Sequence, residues 1–127
     1  MKCVRLCLAA AALGAATPAF AISTMSCSST ISPTDGPRLW LAVGVASSIV
    51  EARLEQGNRG FTTGQGANAP VIAQSWLDRN SLRLAIVDAR AGTEIARLET
   101  WRRAGTAYLG TLRYSGQTWR MRCSAEG

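Results

Sequence analysis

Histidine is missing from all 127 residues. Its absence removes the commonest general base, the commonest protein ligand for transition metals and the usual charge switch near neutral pH. Lysine occurs once, at Lys2, so no amine further along the chain can activate a serine or form a Schiff base. Neither a G-x-S-x-G elbow nor an S-x-x-K motif occurs, and the four cysteines form no C-x-x-C pair. The glycine-rich stretch Gly57 to Gly66 has no lysine behind it and runs into Pro70, so it reads as a loop and not as a phosphate cradle. These absences exclude the familiar hydrolase, thiol-redox and zinc arrangements. No cofactor and no metal site is expected, and the chain reads as non-enzymatic.

The first 21 residues have a different character from the rest. Met1-Lys2-Cys3-Val4-Arg5 is a short basic start, Leu6 to Ala16 is an apolar run, and Pro18 precedes the small-residue pattern Ala19-Phe20-Ala21. This order is that of a secretory signal peptide, and the run is too short to remain as a transmembrane helix. Cleavage is expected after Ala21, leaving one mature domain, residues 22–127, in the periplasm or secreted, with no stable membrane span. Thr24-Met25-Ser26 before Cys27 does not match a small-residue lipobox, which excludes a lipoprotein.

Removing 21 of 127 residues leaves 106, with 12 arginines against 8 carboxylates and hence a net charge of +4. Cys3 and Cys7 leave with the leader, so Cys27 and Cys123 remain. In an oxidising compartment an isolated pair is most simply a disulfide, here joining the two ends of the mature chain.

The second half of the chain alternates in short apolar and polar steps between turn residues, an all-β signature. Ser115-Gly116 suits a two-residue hairpin turn that sets Leu112 opposite Trp119, Gly110 opposite Met121 and Tyr108 opposite Cys123. Arg-Ala-Gly-Thr occurs twice, at 90–93 and 103–106, and each copy reads as a three-residue loop with its glycine in the left-handed region. Gly92 then sets Ile86 against Ala96, Leu84 against Leu98 and Leu82 against Thr100. Gly105 sets Ala96 against Leu112, Leu98 against Gly110 and Thr100 against Tyr108. One face becomes apolar throughout: Ile86, Ala96, Leu112, Trp119 in one row and Leu84, Leu98, Gly110, Met121 in the next.

Upstream, residues 71–77 pair with 82–87 through Arg79-Asn80, with Val71, Ala73, Ser75 and Leu77 inward and Trp76 outward beside Arg83. Arg38 to Val45 alternates, with Leu39, Leu41, Val43 and Val45 on one face. A turn at Ala46-Ser47 matches Val43 with Val50, Leu41 with Ala52 and Leu39 with Leu54. Residues 48–56 also admit a helix, because Ser48-Ile49-Val50-Glu51 is a capping box and Gly57 a stop. Between Gln56 and Pro70 a mobile loop is expected, with a short strand around Phe61. With a strand near Cys27, the expected fold is a small antiparallel up-and-down meander of about seven or eight strands, closed or nearly closed into a barrel. A β-sandwich is the alternative. A barrel filled by its own leucines leaves little room for a large ligand.

The polar face carries the functional signal. In these registers Arg97 and Arg120 flank Thr111, with Arg113 and Arg122 beside them, and Trp40, Trp76 and Trp101 project to the same side. Glu99 faces Arg83 and Glu55 faces Arg38 as expected ion pairs. Arginine binds phosphate and carboxylate in a fixed fork, and exposed tryptophan favours recognition surfaces. Arg97, Arg113, Arg120, Arg122, Trp76 and Trp101 form the candidate binding surface, for an anionic envelope polymer or a periplasmic protein.

Ser115-Gly116-Gln117-Thr118-Trp119 resembles the Ser-Gly-x-x-Tyr motif of the small periplasmic inhibitors of C-type lysozyme from Gram-negative bacteria, with tryptophan in the aromatic place. The resemblance spans five residues and has no downstream Lys-Gly partner. It implies a disulfide-bonded antiparallel barrel and a protein inhibitor as the alternative function.

Overall fold

A computed structural model describes residues 23–103 and 105–126. The expected leader, Met1 to Ala21, lies outside the described residues, and among those described no helix is long and apolar enough to cross a membrane. Nine strands follow in order: β1 (Ser23–Ser29), β2 (Arg38–Val43), β3 (Ile49–Gln56), β4 (Arg59–Thr62), β5 (Val71–Leu77), β6 (Ser81–Val87), β7 (Glu94–Arg102), β8 (Tyr108–Tyr114) and β9 (Gln117–Ala125). They form one antiparallel sheet in the order β4-β3-β2-β1-β9-β8-β7-β6-β5, curled into a half-barrel, and the expected closure is not made because β4 and β5 remain edges that do not pair with each other. The sheet is single, so the sandwich is excluded, and the strand count exceeds the expected seven or eight because the Phe61 segment is a full hairpin arm. Every neighbour is also a neighbour in sequence except β1 and β9. There Cys27 faces Cys123 in the ladder and is disulfide-bonded to it, as the isolated pair implied.

Residues of alternate parity fill the concave side. Leu39, Leu41, Leu54, Leu82, Ile86, Leu98, Leu112 and Met121 are fully buried, each at a strand position two residues from the next inward one. Thr100 lies among them, its hydroxyl donating to the Leu82 carbonyl at 2.9 Å so that the buried group is satisfied. The stretch 49–56 is strand, not helix. Its inward residues Ile49, Ala52 and Leu54 are buried against β2, which alternates in the same way.

The β8–β9 hairpin has the register expected of Ser115-Gly116, both of which take positive φ, 56° and 77°. The β6–β7 register also follows, with Leu84 against Leu98. The β7–β8 register differs by two residues. Arg102 pairs with Tyr108, Thr100 with Gly110, Leu98 with Leu112 and Ala96 with Tyr114. The loop is therefore five residues long, 103–107, instead of three. Close packing explains the choice: a Cβ at Gly110 would run into the Glu99 carbonyl and the Thr100 Cα, so the one residue without a side chain sits where β7 crosses most tightly. A slip of two keeps every side chain on its expected face. The apolar rows become Leu84, Leu98, Leu112, Trp119 and Leu82, Thr100, Gly110, Met121.

Three bulges account for the remaining differences. One lies between Ile86 and Val87, where Val87 pairs with Glu94 and the Gly92 loop, closed by the Asp88 N–H on the Thr93 carbonyl, is longer than the expected three residues. At the β2–β3 turn Val43 pairs with Ile49 and not Val50, leaving Val50 50% exposed and Val45 70% exposed in place of the expected inward positions. On β5 an extra residue at Ala73 shifts the pairing so that Ile72 faces Ile86 and turns inward, while Val71 and Ala73 lie outside. Ser75 still faces Leu84 but is exposed because β5 is a sheet edge. Each bulge sharpens strand twist where the sheet must curl. Within the stretch expected to be mobile, Gly57-Asn58 makes a tight turn into β4, and Thr63 continues β4 along β3, donating its N–H to the Ala52 carbonyl and accepting the Ala52 N–H on its hydroxyl.

Candidate functional site

The same parity that buries the leucines sends Arg97, Arg113, Arg120, Arg122, Trp76 and Trp101 to the convex face. All six stand there, Trp76 and Trp101 at 53% and 46% exposure. The two-residue slip changes who meets whom. Arg97 faces Arg113, and Glu99 takes the place across Thr111 from Arg120 that Arg97 was expected to hold. Like charges directly opposite repel, and Glu94 relieves the clash. Its carboxylate accepts from Arg97 Nε at 2.6 Å and Arg113 Nη2 at 3.1 Å, and these contacts hold it below the usual carboxylate range, Arg97 having the larger effect. Arg97 also reaches Glu99 at 4.0 Å. Two of the four expected arginines are thus neutralised in place.

Arg120 and Arg122 differ. Neither has a carboxylate within 4 Å among the described residues. Arg120 borders a shallow cleft of about 400 Å³ together with Arg103, Thr30, Gly110 and Thr111. Arg103 was missed by sequence reasoning because a three-residue loop would have placed it at the turn tip, whereas the five-residue loop lays it beside β8 and β9. Arg122 lies in the next row, Ser81-Trp101-Leu109-Arg122-Ser28.

Tryptophans organise the flanks. Trp40 lies between the guanidinium groups of Arg53, 4.3 Å from the ring centroid, and Arg38, at 5.8 Å. Trp76 carries Arg83 at 5.7 Å and donates from Nε1 to Asp78 Oδ2 at 2.9 Å, which fixes its ring. The expected ion pairs therefore do not form as drawn. Arg83 faces Glu99 and Arg38 faces Glu55 in the ladders, but Arg83 and Arg38 stack on indoles, and Glu55 pairs with Arg53 at 3.7 Å. In the segment that resembles the lysozyme-inhibitor motif Ser115 to Thr118 are exposed, whereas Trp119, in the aromatic place, turns inward and packs against the core.

The chain was compared with protein-family models, with curated proteins and with solved structures, and it matches none of them.

Proposed function

We propose that this protein is an exported, non-enzymatic binding module, periplasmic or secreted, that holds an acidic envelope polymer on the convex face of its half-barrel. The leader-like first 21 residues and the Cys27–Cys123 bond support export. The observation that carries the binding reading is the pair Arg103 and Arg120 on one cleft over Thr111, with Arg122 and exposed Trp101 one row away and no carboxylate spent on either β9 arginine among the described residues. An unpaired guanidinium fork on a rigid strand meets a phosphate or carboxylate without first breaking an internal bridge.

The test is retention on an immobilised anionic polysaccharide across a salt gradient. Wild type is expected to bind and to elute with rising salt, as counterion-screened contacts do. Replacing Arg103, Arg120 and Arg122 together by Glu should abolish retention. Replacing Arg97 and Arg113 by Gln should change it little, since Glu94 already holds them. Equal losses in the two sets would discard the assigned cleft, and stoichiometric, salt-resistant capture of a periplasmic lysozyme would favour the inhibitor reading.

A further inference from the structure

One end of the half-barrel is open. Met25, Val43, Leu77 and Tyr108, apolar residues near the strand ends on the inward face, line a cavity of about 790 Å³ there, with Ser23 opposite Val43 at its rim. The interior is already filled at this level: Leu41 and Leu82, paired across the ladders with Met25 and Leu77, and Ala52 beside Leu41 have no exposed surface, so a ligand can occupy the mouth but cannot run down the barrel. Barrel mouths are frequent small-molecule sites when an apolar lining meets a few placed polar groups.

The charged groups here are two arginines against one carboxylate. Arg79, in the β5–β6 turn, and Arg102, at the end of β7, both border the cavity, and neither has a carboxylate within 4 Å among the described residues. Arg102 is held with its guanidinium 5.2 Å from the Tyr108 ring centroid. Asp78 is the one acid on the cavity wall, and its carboxylate is committed elsewhere. Oδ1 accepts from the N–H groups of Asn80 and Ser81 at 2.7 and 2.8 Å, and Oδ2 accepts from Trp76 on the outer side. The Tyr108 hydroxyl donates to the Asp78 carbonyl at 2.6 Å, so that polar group is already satisfied and its ring serves the apolar lining.

We propose that this mouth binds a small amphipathic carboxylate, a short acyl chain or aryl acid, whose tail covers Met25, Val43, Leu77 and Tyr108 while its head group lies between Arg79 and Arg102. The apolar lining alone would accept a neutral chain. The two arginines make the carboxylate the preferred form, because charge-assisted hydrogen bonds are the stronger ones.

The disulfide-bonded protein, labelled at methionine methyls, is titrated with sodium decanoate below its micelle concentration and with decanol. Decanoate should shift the Met25 methyl saturably and leave Met121, buried in the barrel, unmoved. Decanol should bind at least about tenfold more weakly, the size of one good charge-assisted contact. Replacing Arg79 and Arg102 by Ala should bring decanoate down to the level of decanol. The exposed Arg79→Ala single variant, which leaves the Arg102–Tyr108 stack intact, should show a partial loss. The variant with Arg103, Arg120 and Arg122 changed to Glu should bind decanoate as wild type does, which separates this site from the convex face. No saturable Met25 shift, equal binding of decanol, or unchanged affinity in the Arg79 and Arg102 variants would overturn the proposal.

Discussion

The two seams of the curled sheet are built on different principles. At one, β1 and β9 share a ladder from Met25–Ala125 to Ser29–Met121 with a disulfide in its middle. At the other, β4 and β5 are both edges. β4 has four residues, β5 carries a bulge at Ala73, and β5 comes within 8 Å of β3, where half-buried Phe61 and Ile72 pack against the core. The difference follows from where the chain runs. β4 and β5 are joined by residues 63–70, pinned by the Gly64 N–H on the Pro70 carbonyl at 2.9 Å, so the connection itself limits how far that seam opens. β1 and β9 come from opposite ends of the chain. Bringing them together costs the closure entropy of a very long loop, which a covalent bond removes from the unfolded state. The open edges are kept from pairing with other chains by the short β4, the bulge and Pro70.

The largest test of this contrast is to cut the locked seam. The double variant Cys27→Ser, Cys123→Ser should lose about 4 to 5 kcal/mol in the chain-entropy account. Urea unfolding measures it, and a loss under about 1 kcal/mol would mean that the ladder alone suffices. A smaller effect is expected at the open seam. Phe61→Ala should cost about 1 to 3 kcal/mol, less than a fully buried phenylalanine, and native-state hydrogen exchange should show β4 and β5 opening at lower free energy than β1 and β9. Uniform protection across both seams would erase the distinction.

The smallest effect is electrostatic and confined to one half. Asp78 is held below the usual carboxylate range by the Asn80 and Ser81 N–H groups, Asp88 by those of Ala91 and Arg90, and Glu94 by Arg97. Their folded values lie below their unfolded ones, so each stabilises the fold above the ordinary carboxylate pKa and ceases to do so as pH falls through its own lowered value. All three belong to the β5–β6 and β6–β7 turns and the start of β7. Acid titration followed by amide signals should therefore loosen these hairpins before β1 and β9, and Asp78→Asn should flatten the response at the β5–β6 turn.

Much of this architecture was legible in the sequence. Ser115-Gly116 set the β8–β9 register through local backbone chemistry, the Leu84–Leu98 register was legible although a bulge lengthens the Gly92 loop beyond three residues, and the isolated pair Cys27 and Cys123 implied the bond that ties the ends. The β7–β8 register was hidden because nothing within residues 103–107 determines how far the loop opens. Tight packing of Gly110 against β7 decides it, a contact between strands. The bulges that turn Ile49 and Ile72 inward answer to curvature of the whole sheet and leave no local mark. The candidate surface divides along the same line. Which side Arg120 or Trp101 faces depends on parity, which survives a slip of two. Which arginine meets a carboxylate depends on register, so the Glu94 clamp on Arg97 and Arg113, and the place of Arg103, emerged only with the fold.

The meeting of β1 with β9 has a topological consequence. Glu126 donates its N–H to the Thr24 carbonyl at 2.8 Å, so the backbone there is all but circular. A circular permutant that links residue 126 to residue 23 and is cut within 63–70 would read β5 through β9 and then β1 through β4, turning the sheet into one uninterrupted zigzag. The Cys27–Cys123 bond, now spanning 96 residues, would then close only a short loop and become nearly dispensable.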